Sequence, residues 1–175
     1  MLPDKVIKYY DLLSQWMSYY GFAPVTVHAE SGIDLVFKRS RFEASKFGTC
    51  DVYCCAKYFE KADANLFRSF STQMFELAMK HRKGSPLGLG AMLIVYPLIV
   101  TENISQEVYQ ETKQYCQKHF AANEFPCVID LVTGFLYYYE QTPLWGSAYY
   151  AGIRKDAYQF FSPKAWEVTG KAASG

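Results

Sequence analysis

The sequence lacks an excess of charge of either sign and a membrane-length apolar run. The sequence contains 18 basic and 17 acidic residues, for a net charge of +1. This balance excludes the global basic field of a histone-like nucleic-acid binder. The most apolar run, residues 91–100, is about half the length of a membrane-spanning helix and contains Pro97. We therefore expect no membrane span, and any nucleic-acid contact must be local.

A regular cysteine framework is also missing. The five cysteines are odd in number and form no Cys-x-x-Cys pair, which disfavours both a set of disulfides and a zinc site. The first residues show no basic stretch followed by an apolar one, as a secretion signal would. Buried, reduced thiols in a cytoplasmic protein are the resulting prediction.

What the sequence does contain is a large stock of core-forming side chains. Half of its 175 residues are hydrophobic, and 15 Tyr and 13 Phe contribute most of the 18% aromatic content. Such side chains suit packed sheet and helix surfaces. A chain of this length fits one domain that buries about 70% of the surface of its unfolded form.

The first half of the chain reads as a helix followed by strands. Apolar residues recur at three- and four-residue steps over residues 4–20, which predicts an amphipathic helix. Residues 25–28 and 33–38 are predicted to form a hairpin, and the polar residues 39–48 a connecting loop. The continuous apolar character of residues 50–59 predicts a central strand that is buried on both faces.

The middle of the chain predicts two helices around a strand. Asp63 is placed to cap a helix that ends before Gly84, and residues 92–100 form a second buried strand. Asn103, with a glutamine three residues later, resembles a capping box for a third helix that reaches about Phe120.

The remaining segments complete an α/β prediction. Residues 127–131 and 135–140 form a hairpin, and residues 148–161 begin a C-terminal helical segment. The predicted fold is a central mixed sheet flanked by helices, in the order αβββαβαββ plus that segment. It forms one domain over residues 1–169, with a flexible tail over residues 170–175.

The first six elements, helix-strand-strand-strand-helix-strand, carry a family resemblance. Over residues 4–100 this order is similar to the restriction-endonuclease-like core of the PD-(D/E)XK nuclease superfamily. In that superfamily an acid on the second strand and an acid-x-Lys pair on the third bind a divalent metal and activate water. The matching positions here are Asp34, Cys55 and Lys57, and Gln73 matches a glutamine that some members carry on the following helix.

Cys55 occupies the position of an essential acid. Magnesium prefers hard oxygen ligands, whereas a thiol is soft and mostly protonated near neutral pH. The sequence therefore predicts an inactive nuclease-like scaffold that acts as a binding or interaction module without a cofactor. The alternative is a metal-dependent nuclease in which Asp34 holds Mg²⁺ or Mn²⁺, Lys57 polarises the attacked group and Gln73 supports the site.

The sequence leaves two kinds of partner possible. One is another protein, including a second copy of this chain, and the other is nucleic acid. A cluster of cations next to the predicted site is the candidate contact for phosphates, although a solvated loop is the ordinary role of such residues. Its members are Lys38, Arg39, Arg41 and Lys46. The aromatic C-terminal region, residues 135–150, suits either base stacking or internal packing.

Overall fold

The computed structural model describes residues 1–27, 31–43, 48–142 and 147–173. Over these ranges the protein is α/β, with five helices on the two faces of a mixed eight-stranded sheet, and the predicted fold class is confirmed. The elements in chain order are α1 Asp4–Tyr19, β1 Ala23–Pro24, β2 Leu35–Glu43, β3 Gly48–Tyr58, α2 Ala64–His81, β4 Ala91–Thr101, α3 Gln106–Gln114, β5 Lys118–His119, β6 Ala122–Glu124, β7 Cys127–Asp130, β8 Phe135–Tyr138, α4 Ser147–Phe161 and α5 Pro163–Ala173.

The sheet combines an antiparallel and a parallel half. Strands β1, β2 and β3 pair antiparallel in that order, and β4 pairs parallel to β3 after the crossover through α2. Both β6 and β7 continue the sheet parallel to β4, while β5 and β8 pair antiparallel to β6 and β7. The N-terminal ends of β3, β4 and β6 therefore lie together at one edge of the sheet.

Two hydrophobic layers cover the sheet. Helices α1, α4 and α5 pack on one face, and α2 and α3 pack on the other. Strand β3 contributes to both layers, since Cys54 faces the α1 layer and Tyr53 and Cys55 face the α2 layer. This alternation in a fully buried strand confirms its predicted central position.

Several boundaries differ from the sequence prediction. Strand β2 continues to Glu43, and residues 39–43 pair with the start of β3 where a loop was predicted. The polar residues of this stretch lie near the exposed end of the hairpin, so they show no hydrophobic alternation. Pairing at the first strand is confined to Ala23–Pro24, and His28 of the predicted strand 25–28 lies outside the described residues.

The third helix starts later and ends earlier than predicted. Ser105 is its N-cap, because the Ser105 hydroxyl accepts a hydrogen bond from the N–H of Val108 at 3.2 Å. The helix ends at Gln114, and the short strands β5 and β6 occupy the segment that follows. Strands of two and three residues carry too little periodicity to be recognised in a sequence. Helix α5 continues to Ala173, past Gly170, where the tail was predicted to begin.

The predicted cap of α2 is confirmed and yields a stability prediction. The carboxylate of Asp63 accepts a hydrogen bond from the N–H of Leu66 at 2.8 Å, which satisfies one of the unpaired donors of the first turn. We expect Asp63→Ala to lower the free energy of unfolding by about 1 kcal/mol, measured by urea titration. Asn65→Ala, an exposed change in the same turn, is the control. An equal loss in both variants would contradict a capping role.

Candidate functional site

Asp34 lies in a bulge immediately before β2. Its N–H donates to the carbonyl of Ala56 at 3.2 Å, while Leu35 is the register partner of the same Ala56. Asp34 and Leu35 therefore both lie opposite Ala56, as in a β-bulge. The alternation that would have placed Asp34 on the face of Lys57 is interrupted at this point.

The Asp34 carboxylate is occupied by structural contacts in the α1 layer. It accepts hydrogen bonds from the Tyr10 hydroxyl at 2.7 Å and from the N–H of Tyr58 at 2.8 Å. Burial, together with the hydrogen bond to Asp34, raises the pKa of Tyr10, so the phenol stays protonated and remains the donor. Asp34 thus links α1 to the end of β3.

Cys55 and Lys57 lie in the opposite layer. Cys55 is fully buried among the side chains that face α2, and burial raises the pKa of its thiol to about 12. A protonated thiol in an apolar core is not a ligand for a hard cation. The Lys57 ammonium lies 5.2 Å from the centroid of the Phe59 ring, and that ring packs edge-on against Phe70 of α2.

The structure therefore does not assemble the metal pair expected from the resemblance. The exposed Asp34 contacts Tyr10 of α1, whereas the Lys57 ammonium lies beside Phe59, which packs with the α2 layer. Gln73 is exposed on α2, in an open groove of about 390 Å³ that Val27 and His81 also line. In the part of the chain that the structure describes, no three His, Cys, Asp or Glu side chains are grouped closely enough to hold a metal ion.

The four predicted phosphate-binding cations do not form one surface either. The Lys38 ammonium faces the α2 layer, 5.3 Å from the centroid of the Tyr53 ring. The Arg39 guanidinium faces the other layer, lies over Phe22 at 4.5 Å and donates to the carbonyl of Tyr20. Neighbouring strand residues point to opposite faces, which separates these two cations. Arg41 is exposed, and Lys46 lies outside the described residues.

The C-terminal aromatic region is largely used for packing. Tyr138 packs against Phe125, and Tyr150 is buried. The Tyr149 hydroxyl accepts a hydrogen bond from the Asn123 amide at 2.8 Å. Phe135 is half exposed, beneath the ammonium of Lys164. Trp145 lies outside the described residues.

A surface that sequence reasoning missed lies where the parallel strands begin. Phe42, Leu89 and Phe120 lie at this end of the sheet and are 74%, 74% and 82% exposed, which is unusual for large apolar side chains. We call this surface, together with its exposed cations, the basic edge. It comprises Phe42, Lys83, Leu89, Lys118 and Phe120, together with Arg41, which neighbours Phe42 in β2 and therefore points to the other face of the sheet.

Backbone contacts join the segments that carry the basic edge. Phe42 is the register partner of Thr49, whose N–H donates to the carbonyl of Gly90 at 2.9 Å. On the far side, the ring of Phe120 lies so close to Gly88 that a side chain at Gly88 would collide with it. Three segments far apart in the sequence therefore meet at one end of the sheet, and local periodicity contains no signal for this.

The charge of the basic edge is positive because its buried acids are compensated. Asp51 accepts a hydrogen bond from the Ser40 hydroxyl and lies 3.8 Å from both the Lys38 ammonium and Nε of Arg82. The Glu124 carboxylate accepts from the Ser71 hydroxyl at 2.7 Å and contacts His119 at 2.6 Å.

Four exposed acids lie at the opposite edge, where Lys61 is exposed as well. The group comprises Asp34, Glu60, Asp63 and Glu107, which lie at the C-terminal end of β3, beside it, and at the beginnings of α2 and α3.

Comparisons with protein-family models, with curated proteins and with solved structures find no match for this chain. Among the helices that the structure describes, none combines the length and the apolar character needed to cross a membrane. The functional argument therefore rests on the geometry of the basic edge.

Proposed function

We propose that this protein is a non-catalytic binding module that holds single-stranded nucleic acid at its basic edge. The observation that carries the proposal is that two exposed phenylalanine side chains and three exposed cations all lie at the same end of one sheet. Lys and Arg side chains attract the phosphate backbone. Exposed aromatic rings stack on unpaired bases, each worth about 1–3 kcal/mol.

The positions of the rings favour a single strand over a duplex. Phe42 and Phe120 are 74% and 82% exposed, so most of each side chain is accessible to an unpaired base. The bases of a duplex are already stacked on one another, and a surface aromatic ring gains little from them. A groove-reading helix would favour a duplex, but loops and strand ends dominate the basic edge.

A binding role also agrees with the residues at the expected catalytic positions. Asp34 already accepts two hydrogen bonds, and the Cys55 thiol is buried and protonated. The chain keeps the helix-strand-strand-strand-helix-strand order on which the resemblance to PD-(D/E)XK nucleases depends. We therefore propose a nuclease-like scaffold that binds without cutting.

The proposal predicts salt-dependent binding of a fluorescent single-stranded oligonucleotide. Changing Arg41, Lys83 and Lys118 together to Gln removes up to three phosphate contacts, so we expect the slope of log K against log salt to decrease in magnitude by about 2. Phe42→Ala should weaken binding about tenfold through the loss of one stacking platform. Fluorescence anisotropy over a range of salt concentrations measures both effects.

The matched control removes the same charge elsewhere. Lys8, Lys61 and Lys155 are exposed and lie outside the basic edge, and changing all three to Gln should leave the slope close to that of the wild type. Equal losses in both triple variants would contradict a localised site. Absence of binding at low salt would reject the nucleic-acid proposal, and a doubled mass in solution would then assign the exposed apolar residues to self-association. With Mg²⁺ or Mn²⁺ present, the oligonucleotide should remain intact.

A further inference from the structure

A small polar pocket opens beside the basic edge. It has a volume of about 150 Å³ and lies between the beginnings of β3 and β4 and the loop that follows α2. Thr49, Asp51, Arg82, Lys83 and Ser85 contribute its polar groups. Pockets for organic ligands usually measure at least about 300 Å³, so this one suits a single small ion.

The guanidinium of Arg82 has an unused donor at this pocket. Its side chain is only 10% exposed, and one Nη atom donates to the carbonyl of Ser85 at 2.7 Å. Its Nε atom is buried and has no hydrogen-bond partner among the described residues. The distance of 3.8 Å between Nε and the Asp51 carboxylate is too long for a direct hydrogen bond. Buried donors of this kind are normally satisfied.

The charges around the pocket favour an anion. Lys38, Arg82 and Lys83 supply three positive charges against the single carboxylate of Asp51. An ion with two negative charges would balance the excess. Arg and Lys are the usual partners of such oxoanions because they form charge-assisted hydrogen bonds.

Asp51 adds a requirement for a proton on the ligand. A carboxylate only accepts hydrogen bonds, so an anion that touches Asp51 must present a hydroxyl group there. Inorganic phosphate keeps a proton at neutral pH, whereas sulfate has none. Asp51 and Arg82 line the same pocket, so an oxygen that bears this proton can accept from the Arg82 guanidinium and donate to the Asp51 carboxylate.

We propose that the pocket formed by Asp51, Arg82 and Lys83 binds one protonated phosphate and selects it against sulfate. The inference goes beyond the proposed function, because it concerns a single ion and does not require a polymer. The phosphate is either the free ion or the terminal group of a larger ligand. Both sources present phosphate oxygens to Arg82 and Lys83. A terminal monoester has a second pKa of about 6, so at neutral pH it donates to Asp51 only in its minor, singly charged form.

The test is a titration of the full chain with sodium phosphate and sodium sulfate at pH 7 and equal ionic strength. The amide NMR signals of Gly84 and Gly90, which line the pocket, report occupancy. We expect phosphate to bind about tenfold more tightly than sulfate, the effect of one hydrogen bond to a charged group. Lys83→Gln should weaken phosphate binding severalfold, while Lys61→Gln, at the opposite edge, should not.

A second variant tests the role of the carboxylate. Asp51→Asn keeps the shape of the side chain but offers an amide, so we expect the preference for phosphate over sulfate to fall by about tenfold. A circular dichroism spectrum that matches the wild type would establish that this variant is folded. Equal affinities for both ions in the wild type, or equal effects of Lys83→Gln and Lys61→Gln, would overturn the proposal.

Oligonucleotides separate the two sources of phosphate. A 5′-phosphorylated strand that binds more tightly than its 5′-hydroxyl counterpart, and loses that advantage when inorganic phosphate is added, assigns the pocket to a terminal group. Equal binding of the two strands, with phosphate still bound, assigns it to the free ion. Phosphate binding without any oligonucleotide binding would reject the proposed function and support the pocket.

Discussion

Phe67→Ala is expected to lower the free energy of unfolding by about 3–5 kcal/mol. Phe67 is fully buried in the α2 layer, and its ring packs edge-on against that of Tyr115, at a centroid distance of 5.9 Å. The truncation removes most of a large buried side chain and leaves a cavity that the rigid central sheet cannot close. Urea unfolding monitored by circular dichroism measures the loss.

The same substitution at an exposed position provides the control. Phe42 is 74% exposed, so Phe42→Ala should change the free energy of unfolding by no more than about 0.5 kcal/mol. The proposed function still predicts weaker oligonucleotide binding for that variant. Similar stability losses at both positions would contradict the assignment of Phe67 to the core and of Phe42 to the surface.

Alkaline pH is expected to destabilise the protein strongly from about pH 9 upwards. Burial raises the pKa of Cys55 and of Cys116 from the ordinary 9.0 to about 12. The unfolded chain releases these protons above about pH 9, whereas the folded chain retains them until about pH 12. Stability from this source is therefore complete below pH 9 and is lost as pH rises through that window.

The expected loss is large relative to the stability of a typical domain. Each raised thiol contributes a slope of about 1.4 kcal/mol per pH unit, so these two thiols together remove about 4 kcal/mol by pH 10.5. Burial raises the pKa values of Cys54 and Cys127 in the same direction. Urea titrations from pH 8 to 10.5 under reducing conditions measure the effect.

Cys55→Ala isolates the contribution of one thiol. This variant should show a slope that is smaller by up to about 1.4 kcal/mol per pH unit. Its control is Val36→Ala, at the position directly opposite Cys55 in the sheet. The Val36 side chain has no titratable group, so this change should lower the free energy of unfolding equally at every pH. A slope unchanged by Cys55→Ala would show that its thiol does not titrate as a buried group.

The main elements could be predicted because their signals are local. Three- and four-residue periodicity marks α1, the Asp63 cap marks the start of α2, and continuous apolar character marks β3 and β4 as buried strands. The failures have equally local causes. The polar composition at the end of β2 is typical of a loop, and β5 and β6 are too short to show alternation.

The candidate sites were less predictable, because a shift of one residue in strand pairing changes the face to which a side chain points. One extra residue opposite Ala56 turns Asp34 away from Lys57, and alternation within β2 separates Lys38 from Arg39. The basic edge depends on the pairing of segments around residues 42, 89 and 120. No local pattern predicts that pairing, because each contact joins residues far apart in the chain.

By itself, the sequence determined that this chain forms an α/β protein around a buried central sheet, because hydrophobic periodicity and helix caps are encoded within each segment. It also contained the reason to doubt catalysis, since Cys55 stands where an acid was expected. Only the tertiary structure decided which polar groups share a surface. One bulge places Asp34 in a structural contact. Long-range strand pairing brings exposed apolar residues, cations and a small polar pocket to the opposite end of the sheet.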